Sequence, residues 1–205
     1  MNDVHNLTNT DKVELVGKYA IGKEQAATIE KYLDLMFAYN SRINLTGLDK
    51  RERAWRELIA PALGFYHYTR DAESIADIGS GNGIPGVVIA ILNRQAKVTL
   101  IESRKNRVAF MREVKYNLGL DYEVISGRAE TVADKKFSCA VGFRVAELEV
   151  FLQLSARMLL DDGVAVQYCP QLPPGEKIKV VDKSGDIWYY QKHADGFIVA
   201  RKCFT

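Results

Sequence analysis

An aspartate followed by three alternating glycines, Asp77-Ile-Gly79-Ser-Gly81-Asn-Gly83, ends one apolar run and leads through Ile84-Pro85 into the helical stretch that starts at Gly86. Glycines at this spacing let the backbone turn tightly and approach a ligand with no Cβ in the way. Two ligand classes use such a loop. Read from Gly81, the stretch Gly81-Asn-Gly83-Ile-Pro-Gly86 meets the G-x-G-x-x-G pattern that seats a dinucleotide pyrophosphate on a helix N-terminus. Read from Asp77, the same stretch is an acid followed by G-x-G-x-G. A carboxylate two residues ahead of the first glycine repels a pyrophosphate, whereas it attracts the ammonium and sulfonium of S-adenosylmethionine. The acid thus favours S-adenosylmethionine over NAD, and a capped turn without a ligand is the third reading.

A second acid supports the same assignment. Glu102 closes the run Val98-Thr-Leu-Ile-Glu102 and lies 23 residues after Gly79. In doubly wound folds an acid about 20 residues beyond the loop accepts hydrogen bonds from ribose hydroxyls. Such an acid suits either cofactor, and an ion pair with Arg104 or Lys105 is its structural alternative.

These residues need elements that hold them in place. Short apolar runs alternate with helical patterns from Ser74 onward, the mark of βα units in a parallel sheet. The expected strands are Ser74–Ile78, Lys97–Ile101, Tyr122–Ile125, Phe137–Val141 and Val164–Gln167, with helices over Gly86–Arg94, Lys105–Leu118 and Glu147–Leu159. Upstream, Ile29, Tyr32, Leu33, Met36 and Phe37 keep helical spacing and predict an amphipathic helix over Lys23–Tyr39. A second helix is expected from about Lys50 through Trp55, Leu58 and Ile59, kinked or ended by Pro61, which cannot donate an interior hydrogen bond. Beyond Pro170, three short strands are expected at Ile178–Val181, Ile187–Tyr190 and Phe197–Ala200, with Ser184-Gly185 turning between the first two. The expected fold is α/β: a Rossmann-like, mostly parallel seven-stranded sheet with a C-terminal antiparallel hairpin. A helical N-terminal cap (1–70) and a cofactor domain (71–205) would form one compact unit.

Composition narrows the function classes. The 205 residues are 47% hydrophobic and 26% charged, an ordinary globular balance for one domain of this length. Cys139, Cys169 and Cys203 are far apart, so reduced thiols and no metal site are expected. No apolar run reaches the ~20 residues that span a bilayer, and Met1 to Thr10 lack an apolar signal core, so a cytoplasmic protein is expected. The net charge of +2 is mild, but basic residues gather in two places. Arg42, Lys50, Arg51, Arg53 and Arg56 form one group, and Arg104, Lys105, Arg107, Arg112 and Lys115 the other. They are either phosphate contacts or solvated helix faces.

Four stretches in one order then identify a family. Tyr39-Asn-Ser-Arg-Ile-Asn-Leu-Thr46, the loop Asp77–Gly86, Lys105-Asn-Arg-Val-Ala-Phe-Met-Arg-Glu113 and Gly127-Arg-Ala-Glu130 resemble the bacterial guanine-N7 methyltransferases of small-subunit ribosomal RNA, also called glucose-inhibited division protein B. The resemblance runs from about Tyr32 to Leu160. It implies a class I S-adenosylmethionine-dependent methyltransferase of 16S rRNA, with the RNA or a ribosomal particle as partner and a monomer as the default state. It also implies that Gly79 and Ile84 line the methionine and ribose part of the pocket and that Ala129 and Glu130 flank the adenine. Arg144 stands at the pocket where the family has an arginine; a helix-start residue paired with Glu147 is its other reading. Where the family usually has Ser-Arg-Ala, this chain has Phe143-Arg144-Val145. Arg56-Glu57 replaces an Arg-His pair, Ala60-Pro61 an Asp-Ser, and Tyr168-Cys169 a Lys-Gly. All of these lie on the substrate side. A methyltransferase of proteins or metabolites and a non-catalytic binding relative are therefore the rival readings.

The implied acceptor needs little from the protein. Guanine N7 has a free lone pair on the major-groove edge, so no general base is required, and catalysis reduces to alignment. An aromatic that stacks on the base would help. Phe143 and Tyr168, at the ends of the fourth and fifth strands, are the candidates, with ordinary packing as the alternative. RNA would meet a basic face of Arg42, Lys50, Arg53, Arg104, Lys105 and Arg107.

Overall fold

The strand over Ser74–Ile78 shows how the sheet is held by what it buries on both faces. The computed structural model describes residues 9–132, 135–169, 187–193 and 196–202. Strand β1 (Ser74–Ile78) alternates Ile75 and Asp77 toward one face with Ala76 and Ile78 toward the other, and all four are buried. Sheets covered on both sides require such continuous apolar runs. Along the chain follow α4 (Gly86–Leu92), β2 (Lys97–Glu102), α5 (Lys105–Leu118), β3 (Tyr122–Ser126), β4 (Phe137–Phe143), α6 (Leu148–Met158) and β5 (Leu159–Cys169). Ahead of β1 lie α1 (Asn9–Lys18), α2 (Lys23–Ile43) and α3 (Ala60–Thr69), and after β5 lie β6 (Ile187–His193) and β7 (Gly196–Lys202).

The strand order is β3-β2-β1-β4-β5-β7-β6. The first five are parallel, and β7 pairs antiparallel with both β5 and β6. Direction of winding reverses at β1, which pairs with β2 on one side and β4 on the other. This crevice, at the carboxyl ends of β1 and β4, is where open α/β sheets bind ligands.

One apolar cluster joins α2, α3, α4 and α5 to a single face of the sheet, so the N-terminal helices share the core of the strands. A second cluster, led by Phe151, Leu152 and Met158 of α6, covers the other face. The hydroxyl of Tyr32, a fully buried residue of α2, donates to the carbonyl of Asn82 at 2.8 Å, and Gln25 Nε2 donates to the Leu92 carbonyl at 3.2 Å. Helix α2 is thereby fastened to both ends of the unit formed by the glycine loop and α4.

Several boundaries differ from expectation for local reasons. Helix α2 runs on to Ile43 and ends at Asn44, whose φ of 48° is left-handed, a conformation that asparagine tolerates. The side chain of Asn40 holds that exit: its Oδ1 accepts the Leu45 and Thr46 N–H groups at 2.7 and 2.8 Å, and its Nδ2 donates to the Thr46 carbonyl. The helix expected from Lys50 is instead a 3-10 turn (Arg51–Arg53), a π turn (Trp55–Ile59) and then α3, with Pro61 in the first turn of α3. Pro61 cannot donate to the carbonyl four residues back, and the widened π turn lies just ahead of it, with the Ala60 N–H reaching Trp55. Helix α1 was not expected from the hydrophobic pattern. Lys12 anchors it on Glu30, which also accepts Trp55 Nε1 at 2.9 Å and Arg51 at 2.7 Å. Strand β5 starts at Leu159, five residues earlier than expected, beside a register irregularity in β4 between Phe137 and Cys139. The strand expected at 178–181 and the turn at Ser184-Gly185 lie outside the described residues, as does Cys203.

Candidate active site

At the crevice the backbone does what the glycine spacing demands. Gly79, Gly81 and Gly83 have φ of 67°, 58° and 99°, the left-handed region that side chains rarely enter. Short contacts close the loop on itself: Gly83 N–H to the Ser80 carbonyl at 2.7 Å, and Ile84 N–H to Asn82 Oδ1 at 3.1 Å. Ser80 is buried and donates its hydroxyl to the Asp77 carbonyl at 2.8 Å, while its N–H reaches the Ile101 carbonyl at 3.1 Å. The loop is therefore tied to β1, β2 and α2 at once.

Asp77 is fully buried beneath this loop. Its Oδ2 accepts the Gly86 N–H at 3.0 Å, capping the first turn of α4. Contact there is so close that a Cβ on Gly86 would lie 2.6 Å from that oxygen. Its Oδ1 is buried without a hydrogen-bond partner. Burial above all, with the nearby charge of Glu102, raises the carboxyl to about 7 against the Gly86 and Ser80 hydrogen bonds that lower it. A dinucleotide pyrophosphate would need the amide at the start of α4, which this carboxylate already takes. The arrangement instead suits a cation, which would compensate both the orphaned oxygen and the buried charge.

Glu102, at the end of β2, is also buried. Its Oε2 accepts the Gly81 N–H at 3.0 Å and its Oε1 accepts the Arg104 N–H at 2.8 Å. The ion partner is Arg107, at 4.0 Å, rather than Arg104 or Lys105. The Ser103 hydroxyl also donates to Oε1, at 3.4 Å; a carboxylate has about four acceptor positions, so room for a further hydroxyl donor is left on this side chain.

The remaining expected residues lie in three places. Ala129 and Glu130 open a 3-10 turn after β3, with Ala129 half-buried and Glu130 exposed. Ile84 is only 3% exposed and packs into the core, so its side chain supports the loop from within. Arg144 has a left-handed φ of 54° and is exposed, with its guanidinium 5.4 Å from the Phe143 ring and 5.3 Å from the Tyr168 ring. Among the described residues it makes these ring contacts rather than an ion pair to Glu147.

Sequence reasoning missed two contributors. Tyr32 reads as a core residue in an apolar stripe, although a buried phenol needs an acceptor, and that acceptor proves to be the loop. Val145 carries no sequence signal, yet it lies where a Cβ on Gly79 would be, 2.3 Å from that point. The turn after β4 thus packs directly on the turn after β1. Of the basic residues, Arg104 and Lys105 are exposed and Arg107 half-buried at the start of α5, beside Glu102. Arg42 is exposed near the end of α2, whose Tyr39 ring meets Phe110 of α5 at 5.6 Å. Lys50 is exposed, but Arg53 is engaged by Glu57 at 2.6 Å and Asp49 at 3.4 Å. Cys139 is a buried free thiol pushed up to about 12 by burial, and among the described residues no group of acids, histidines and cysteines could hold a metal. No helix among them is long and apolar enough to cross a membrane.

Five parallel strands, with an acid-glycine loop at the point where their winding reverses, make this a Rossmann-like methyltransferase fold. A methyltransferase from Geobacter sulfurreducens has the same fold, with a TM-score of 0.62 at 13% identity over 84% of this chain and 90% of that one. The family model GidB, rRNA small subunit methyltransferase G, matches residues 25–176. Ribosomal RNA small subunit methyltransferase G of Neisseria gonorrhoeae is 32% identical over 146 residues, 71% of this chain and 70% of its own. The protein of that name from Moorella thermoacetica is 32% identical over 153 residues, 71% of this chain and 64% of its own. The chain belongs to the rRNA small subunit methyltransferase G family.

Proposed function

We propose that this protein is an S-adenosylmethionine-dependent methyltransferase that modifies N7 of a guanine in 16S rRNA. The observation that carries the reading is the buried carboxylate of Asp77 under a glycine loop, with one oxygen capping α4 and the other unpartnered. When bound, S-adenosylmethionine supplies a methyl group on a positively charged sulfonium. Asp77 and the backbone of Gly79, Gly81 and Gly83 would hold its methionine part, with Ile84 supporting the loop. Glu102 would take the ribose hydroxyls, and Ala129 and Glu130 would flank the adenine.

The protein's remaining task is alignment, since the guanine nitrogen attacks through a lone pair and loses no proton. Holding two reactants in line is worth up to ~7–11 kcal/mol. Arg144, fixed at the mouth of the crevice, is the residue assigned to the reacting base. Residues 1–70 serve as a cap and 71–205 as the methyltransferase domain, ending in the antiparallel strands β7 and β6. The exposed Arg42, Lys50, Arg53, Arg104 and Lys105, with the half-buried Arg107, are the phosphate-facing surface. A cytoplasmic monomer without a metal completes the reading.

Mass mapping of 16S rRNA from cells with and without the gene tests it. One 7-methylguanine should disappear with the gene and return with its product. An unchanged map, together with methyl transfer to a protein or metabolite, would move the assignment to another acceptor.

Asp77 adds a pH test. The charged carboxylate favours a cationic ligand, so affinity should be highest above about pH 7. It should fall by up to about tenfold per unit as the pH drops below that value. In the free protein the sign is opposite. A carboxyl raised from 3.8 to about 7 favours the protonated fold, so stability declines as pH rises through that window. Calorimetric titration from pH 5.5 to 8.5 should show the slope in the wild type and lose it in Asp77→Asn. Parallel profiles for the two proteins would remove Asp77 from cation binding.

A further inference from the structure

We infer that the stacked rings of Phe143 and Tyr168 form the platform on which the target purine lies, a proposal that rests on the methyltransferase reading and names its base-binding element. The two residues are register partners at the carboxyl ends of β4 and β5. Their ring centroids are 4.8 Å apart and the planes are inclined by 13°, a stacked geometry. Tyr168 is 1% exposed, whereas Phe143 is only partly buried. Tyr168 therefore backs the pair, and Phe143 is the ring that keeps exposed surface.

Arg144 does not cap the end of the stack. The guanidinium is 5.4 Å from one ring centroid and 5.3 Å from the other, while the rings are 4.8 Å apart. The three centres make a nearly equilateral triangle, so the cation lies beside the stack rather than on its end. A base added to Phe143 would extend a π stack and meet a guanidinium alongside, a donor for acceptor oxygens of the base edge or its phosphate.

The backbone holds this arrangement at some strain. Arg144 is left-handed without being glycine, and its N–H points to the Tyr168 carbonyl at 3.4 Å. Such strain persists where surrounding contacts over-determine it, commonly at functional sites. The next residue, Val145, packs on Gly79 of the cofactor loop. One residue thus separates the aromatic pair from the loop assigned to the methyl donor, which is the juxtaposition that methyl transfer to a base requires.

The test uses the full chain and 16S rRNA from cells lacking the gene. Phe143→Leu should lower kcat/KM for RNA about tenfold or more, since base–aromatic stacking is sequence-tolerant and substantial, while S-adenosylmethionine affinity by calorimetry stays within about twofold. Phe143→Trp, which restores a π face, should recover most of the rate. Wild-type kcat/KM in Phe143→Leu would overturn the platform and leave the enzyme assignment standing. An equal loss of cofactor affinity would place the pair in the pocket wall and overturn it as well. A wild-type protein that binds the methyl donor but methylates no guanine in 16S rRNA would overturn the reading beneath both.

Discussion

Adding one methyl group at Gly79 should abolish S-adenosylmethionine binding, and the same change at Gly81 should only weaken it. Both residues are left-handed, with φ of 67° and 58°, so any side chain costs roughly 1–2 kcal/mol of backbone strain. The surroundings separate them. At Gly79 the new Cβ would lie 2.3 Å from Val145 Cγ2, on a turn anchored by β4. Overpacking of that kind costs about 1–3 kcal/mol more, and relief requires the β1 and β4 turns to part where the ligand must be gripped. At Gly81 the nearest atom is Arg107 Nη1 at 3.4 Å, an ordinary contact with the end of a flexible side chain. Calorimetry should therefore find no measurable affinity in Gly79→Ala and roughly a five- to thirtyfold loss in Gly81→Ala, whose free loop relaxes and must regain the strained conformation to bind. Thermal melting should rank the two variants in the same order. Equal losses would show that the contact between the turns has no part in forming the pocket.

That contact also marks the limit of what could be read in the sequence. The glycine loop, its acid and Glu102 were legible because chemistry and chain spacing coincide there: a strand, a tight turn and a helix follow one another within a dozen residues. Helix α5 was legible to the residue, from Lys105 to Leu118, since its apolar positions face one core and Gly119 stops it in a left-handed conformation. Contacts across the fold were not. Val145 meets Gly79 only because β1 and β4 become neighbours, and Tyr32 reaches Asn82 only because α2 packs against the loop. The ion pair offered as the alternative role of Glu102 names other partners for a similar reason. Arg104 and Lys105 are nearer in sequence, but it is the Arg104 N–H, not the side chain, that the carboxylate accepts, and Arg107 approaches from the first turn of α5. In the sequence Phe143 and Tyr168 are two departures from the family pattern and two alternative candidates for stacking on the base. Only the pairing of β4 with β5 shows that they are a single feature.

Glu102 gives the second large effect, because it holds the loop through Gly81 and is the residue proposed to take the ribose. In Glu102→Ala, the Gly81 and Arg104 N–H groups lose the acceptors they hold at 3.0 and 2.8 Å, and Arg107 loses its nearest anion. Hydrogen bonds to a charged group contribute about 1.5–3 kcal/mol each, and a buried donor left unpaired costs about 1–3 kcal/mol. Water can reach part of this site, since Gly81 is half-buried and Arg104 exposed, so the stability loss should fall near the lower end, at about 2 kcal/mol. Ligand affinity should suffer more. On the proposed role of Glu102 the variant loses the ribose acceptors as well as the tether that orders the loop, and a hundredfold drop or more is expected, about 2.7 kcal/mol. Glu102→Gln separates the two contributions. Its amide oxygen can still accept one N–H and keep the loop in place, but it has fewer acceptor positions and no charge toward Arg107. Its melting temperature should stay close to the wild type while affinity falls at least tenfold. Adenosine serves as the discriminating probe, because it carries the ribose and the base without the methionine. If Glu102 holds the ribose, adenosine should inhibit the wild type and lose that inhibition in Glu102→Gln. Unchanged adenosine inhibition in the glutamine variant would confine Glu102 to its loop contacts, as a capping residue for Gly81 and nothing more.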